Sequence, residues 1–241
     1  MSVYESWAIL ILAAAIHASF QLSVSMLTIL SGHALTKKTA QARLMRLISS
    51  FFAGVALMVT LSLSFLAFAA RDLLHNSYAP SVVWAAVSGF AIGVGVAVWA
   101  FYYRHKTRGT VLWLPRSLAD YLASRAKKTK LAGESFGLGL VSVVAEYLFC
   151  LAPLLIAALV IIQMPLSVQL VGLIVYVVIA TLPLATSVIL IGSGHSIARI
   201  QRWREQNKRF LQFAAGSALI ILGVYVYVGQ VLAPTLSGGY L

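Results

Sequence analysis

Six apolar stretches alternate with polar connections along the chain: Trp7–Leu30, Ile48–Ala70, Ser81–Tyr103, Phe136–Ile162, Ser167–Ile191 and Leu211–Gly229. Each is continuous rather than alternating, and each is long enough as an α-helix to cross roughly 30 Å of hydrocarbon. Strands of a membrane barrel would instead show segments of about ten residues with an apolar-polar period of two, a pattern absent here. The expected fold is therefore all-α: one integral membrane domain over residues 1–241, built as a six-helix transmembrane bundle.

Composition strengthens this expectation. The chain is 61% hydrophobic and only 10% charged, so a soluble fold would lack the polar surface needed to cover it. The start of the chain, Met1-Ser2-Val3-Tyr4-Glu5, carries an acid where a secretory signal would be basic, and the first stretch reads as a permanent helix.

The net charge of +12 gains its meaning from its distribution. All 18 Lys and Arg residues except Arg71 fall in the connections after the first, third and fifth stretches. This asymmetry assigns those connections to the cytoplasmic side of a cytoplasmic-type membrane and both termini to the outside. It also accounts for the basic residues without nucleic acid as a partner. Within the long basic connection 104–133, Pro115–Leu122 is expected to form a short interfacial helix, with Arg116 and Arg125 reaching lipid phosphate; a gate or a protein-docking site is the alternative.

Candidate chemistry begins with Glu146, the only charge between Gly139 and Ile162. An acid at the centre of a bilayer costs about 3 kcal/mol unless it is protonated, paired or hydrated, so it marks a transport or binding site or else a buried structural hydrogen bond, and Cys150 reads as a site residue or as a small packing residue. Ser142, Glu146, Cys150 and Pro153 follow one another at spacings that place them on one helix face. On the first stretch His17, Gln21, Ser25 and Thr28 form a similar stripe. These groups need polar partners and should face the bundle or water. Thr181 lies beside Pro183 in the fifth stretch, and Pro153 and Pro183 are expected to break their helices and free backbone carbonyls near a site. His33 and His195 stand at the inner ends of the first and fifth stretches, where they form a candidate inner gate. Gly89 and Gly93, with Ala85 and Ala97, suggest a smooth face on the third helix for close packing, and Gly216 and Gly223 a similar one on the sixth.

Two internal similarities stand out. Ser31-Gly32-His33 and Ser193-Gly194-His195 are followed, at equal distance, by Gly54 and Gly216. Independently, Ala15-Ile16-His17-Ala18-Ser19-Phe20 aligns with Val144-Ala145-Glu146-Tyr147-Leu148-Phe149, which would make the chain two inverted three-helix repeats with His17 and Glu146 at equivalent mid-helix places. Transporters of that plan hold substrate at the repeat interface near the midplane.

The six-span plan, the hydrophilic connection after the third span and the equivalence of His17 with Glu146 resemble the LysE-type transporter superfamily. That resemblance implies a secondary transporter, since families there export amino acids or metal ions and related ones carry electrons for thiol reduction. The chain departs from the thiol-reducing relatives in having a single cysteine, and from manganese exporters in having His17 where a second acid would stand. Proton-coupled export of a cation or small amphiphilic solute is the expected function, with no cofactor and with a transition metal as one candidate substrate. A non-transporting membrane component that binds lipid or a partner protein through 104–133 is the alternative. Enzyme chemistry has little to rest on, because no nucleophile, base and orienting residue occur as a set.

Overall fold

The computed structural model describes residues 1–20, 27, 30, 38–75, 78–102, 121–122, 124–126, 128–193 and 206–236. Every element among them is helical. In chain order they are α1 (Val3–Ser19), α2 (Lys38–Leu73), α3 (Ser81–Tyr102), α4 (Ala132–Gln163), α5 (Leu166–Gly192) and α6 (Lys208–Tyr227), the last continuing through a π turn (Val228–Leu232) into α7 (Ala233–Leu236). Five helical segments are long and apolar enough to cross a membrane; α1, with 17 described residues, is shorter.

Helix ends follow local chemistry more than the limits of the apolar runs. The α1 helix starts before Trp7 because Ser2 and Glu5 form a capping box: Glu5 N–H donates to Ser2 Oγ at 3.2 Å, and Ser2 N–H donates to Glu5 Oε2 at 3.3 Å. The first turn of α4 is held similarly, with Glu134 Oε2 accepting from the N–H groups of Lys130 at 3.0 Å and Leu131 at 3.3 Å. The α2 helix begins ten residues before the apolar run, and the buried Leu44 and Leu47 carry its interior face into that extension.

Both sides of these helices are apolar. On α2 the buried stripe Leu44, Ile48, Phe51, Val55 and Val59 faces the interior, while Leu57, Leu61, Phe65 and Phe68 are exposed on the opposite side. On α5 the exposed stripe is Leu170, Ile174, Val178 and Leu182. A water-soluble helix would carry polar residues there; a helix that meets lipid would not. These features define the class, an all-helical protein of the integral membrane type.

The central helix is α4. Of its most apolar window 72% is buried, against 22–33% for the other long helices, and it packs on α1, α2, α3 and α5. Directions follow from paired contacts. Ser50 Oγ donates to Ala132 O, Ser135 Oγ donates to Leu47 O, and Ser62 shares a hydrogen bond with Tyr147, so α2 and α4 run parallel. Gly172 of α5 lies against both Leu10 and Ile161, whereas His17 meets Glu146, so α1 and α4 are antiparallel. At the end that holds Met1, Arg71 donates to Gln169 Oε1 at 2.6 Å and ties the end of α2 to the start of α5.

Glycines allow the two closest crossings. A Cβ on Gly54 would collide with the carbonyl oxygen of Phe136, and one on Gly139 would collide with that of Phe51, so α2 and α4 meet backbone to backbone. Gly95 and Gly216 do the same for α3 and α6, where a Cβ on Gly95 would stand 2.8 Å from Gly216 O. Gly223 packs against Ile92 and Ser88, as a packing role on the sixth helix requires. The expected contact face of the third helix is corrected: a Cβ added to Gly89 or Gly93 would meet nothing within 4 Å among the described residues, and the buried stripe is Trp84, Ser88, Ala91, Gly95 and Val98. The small-residue spacing occurs on both sides of α3, and only the partner helix selects one. Gly89→Ala and Gly93→Ala are thus expected to be neutral or to stabilise by about 0.5–1 kcal/mol through lost backbone entropy in the unfolded chain. Thermal unfolding in detergent measures this; a clear drop in stability would place a neighbour on that face.

A second correction concerns the prolines. Pro153 and Pro183 both sit inside uninterrupted α-helix. Each removes one amide donor, but in apolar surroundings no water is at hand to replace further backbone bonds, so the helix is retained on either side. The described part of α1 ends at Phe20, whose backbone stands at φ −92°, ψ 1° and whose N–H donates to His17 O.

Candidate functional site

Two residues singled out on one helix and one on another come together. One ligating atom each of His17, Glu146 and Cys150 lies within 4.8 Å of the other two, and all three side chains are buried. On α4, Glu146 and Cys150 share a face because they are one helical turn apart. His17 reaches them from α1, which crosses α4 at this level. It lies in the last described turn of α1, and residues 21–26 of the expected span lie outside the described residues.

The imidazole is held by a residue that the sequence patterns did not single out. Tyr176 of α5, also fully buried, places its hydroxyl 2.9 Å from His17 Nδ1, and the two rings meet edge to face at 5.7 Å between centroids. Its signal was available: a phenol in the middle of an apolar span needs a hydrogen-bond partner. With Nδ1 engaged, the other ring nitrogen is distinctive. His17 Nε2 is buried and has no hydrogen-bond partner among the described residues. If Nδ1 carries the proton and donates to the phenol oxygen, Nε2 presents a bare lone pair.

Just past the end of α1, Phe20 stacks on Phe149, the residue before Cys150, at 5.5 Å with an interplanar angle of 9°. The carboxyl end of α1 also ends here, and the partial negative charge of a helix C-terminus favours a cation.

The remaining predicted residues sort clearly. Ser142 is buried one turn before Glu146 and donates to Gly139 O at 2.8 Å. Thr181 is buried on α5 and donates to Val177 O at 2.8 Å, so its hydroxyl is satisfied within its own helix. Pro153 lies on α4 three residues beyond Cys150, and Pro183 on α5. Gln21, Ser25, Thr28, His33 and His195 lie outside the described residues, as does Pro115–Asp120 of the expected interfacial helix. Of that helix Tyr121 and Leu122 are described as helical, Leu122 being buried and Tyr121 exposed with the Arg125 guanidinium 5.6 Å above its ring.

A separate cleft of about 340 Å³ opens at the end of the bundle that holds Met1, lined by Tyr78, Pro80, Trp84, Gln163 and Gln230 among others. It shares no residue with the His17–Glu146–Cys150 cluster. Comparison with protein-family models, with curated proteins and with solved structures gives no match.

Proposed function

We propose that the chain is a secondary membrane transporter that exchanges protons for a cation or small amphiphilic solute at the His17–Glu146–Cys150 cluster, in the manner of the LysE-type superfamily it resembles. The observation that carries this reading is the meeting of a carboxyl, an imidazole and a thiol in the buried heart of an apolar bundle. Groups of this kind are costly at membrane depth, and in membrane proteins they mark ion and proton pathways. The end of α1 beside them fits the discontinuous helices from which such sites are made.

The same proposal takes α1–α3 and α4–α6 as inverted halves. Support comes from which helices touch. Exchange of α1 with α4, α2 with α5 and α3 with α6 maps the packed pairs α1–α4, α2–α5 and α3–α6 onto themselves. It also interchanges α2–α4 with α1–α5, and α3–α4 with α1–α6, all of which are in contact. Residue positions agree: one displacement in number relates His17 to Glu146, Phe20 to Phe149 and Leu10 to Gly139. Gly139 packs on Gly54 of α2, and Leu10 packs on Gly172 of α5. By the distribution of basic residues, the end that holds Met1 is outside.

The test is flux. Purified protein in lipid vesicles that enclose a pH indicator should acidify or alkalinise the lumen when one member of a panel of zinc, cobalt, manganese, potassium and small amine salts is added, and protein-free vesicles should not. If no member of the panel or of a wider solute set couples to proton movement, the transporter reading fails and a non-transporting membrane component takes its place.

A further inference from the structure

We infer that the cluster binds a thiophilic divalent transition-metal ion, with His17 Nε2, the Glu146 carboxylate and Cys150 Sγ as ligands. This deepens the proposed function by naming its substrate class, and rests on that reading for the step from binding to transport. Four observations converge on it.

The first is the donor set. One nitrogen, one oxygen and one sulfur suit zinc and its neighbours among the first-row metals, whereas magnesium and calcium take oxygen throughout. The second is the unpartnered Nε2. A buried ring nitrogen without a hydrogen-bond partner among the described residues offers its lone pair beside two further ligating groups. The third is Tyr176, whose hydroxyl on Nδ1 fixes the ring orientation and tautomer, as outer-shell partners of metal-bound histidines do. The fourth is charge. A thiolate, a carboxylate and a neutral imidazole carry two negative charges together, so a dication bound among them leaves the membrane interior neutral.

The donor count suits a carrier better than a structural centre. Three protein ligands leave a coordination position for water, which keeps the ion exchangeable. As the metal–sulfur bond forms, the Cys150 S–H bond breaks and its proton leaves the site, so metal entry is linked to proton release.

Cobalt(II) is the probe, because thiolate coordination gives it a charge-transfer band and a four-coordinate site gives it intense visible bands. The purified full-length chain in detergent should develop both, saturating at one ion per chain. Zinc should abolish them and excess magnesium or calcium should not. Cys150→Ser should remove the charge-transfer band, and Tyr176→Phe should retain it while weakening cobalt binding about tenfold. Each variant is compared with wild type by its elution in gel filtration without metal. A folded wild-type protein without the thiolate band, or a band that survives Cys150→Ser, overturns the inference. The two readings separate cleanly. Flux of some other solute without a cobalt band retains the transporter and removes the metal site, whereas a cobalt band without flux in vesicles retains the metal site and removes the transporter.

Discussion

Glu146→Gln is expected to reduce proton-coupled flux in reconstituted vesicles to the leak of protein-free ones, while the protein still assembles as wild type. The side chain is 1% exposed and lies at the level where α1 and α4 cross. Glutamine preserves its size and its capacity for hydrogen bonds, so packing is retained. It cannot carry a charge or release a proton, and both are what a coupling site does. Glutamine also places no ionisable group in apolar surroundings, so unfolding in detergent should change little. Glu134→Gln is the matching control, since that carboxylate is exposed and caps the start of α4, and glutamine can serve in the same capping position. Flux at the wild-type rate with unchanged proton dependence in Glu146→Gln would remove the carboxyl from the mechanism.

Gly139→Val is expected to have the largest effect on stability, about 3 kcal/mol or more, measured by thermal unfolding in detergent. Its Cβ would fall on the backbone oxygen of Phe51 and 3.0 Å from Val55 N, and neither atom can rotate aside as a side chain can. Relief requires α2 and α4 to part along the closest contact in the bundle. Because Glu146 lies seven positions, about two turns, beyond Gly139 on the same helix, this separation would also displace two of the three groups of the cluster. Metal binding should therefore fall together with stability. Gly137→Ala, two residues earlier, meets nothing within 4 Å among the described residues and should be neutral or slightly stabilising. Equal unfolding temperatures for Gly139→Val and wild type would contradict the crossing.

Much of this architecture is legible in the chain itself. The apolar runs locate α3, α4 and α5 to within a few residues, because a segment in hydrocarbon must satisfy its backbone internally and helix is the means available to a single segment. Boundaries were less legible at α1 and α2, since apolarity marks where lipid would begin, whereas caps and backbone hydrogen bonds determine where a helix begins. The proline rule failed at Pro153 and Pro183 because it describes a helix that can exchange lost bonds for water.

The residue types of the site were equally evident in sequence. An acid, a histidine and a cysteine in apolar runs are conspicuous whatever the fold, because each is out of keeping with its neighbours. Their meeting was legible only through the inverted-repeat alignment that sets His17 opposite Glu146, because residues 17 and 146 approach through the crossing of α1 with α4 and no local pattern encodes a crossing. Tyr176 became part of the site by the same route, from a third helix. Sequence alone determined which segments are helical and which side chains are too polar for their surroundings, because those properties belong to each stretch of chain separately. Which glycine face of α3 packs and how the ligating groups converge with Tyr176 were decided by tertiary structure, because each depends on the shape of a neighbour distant in sequence.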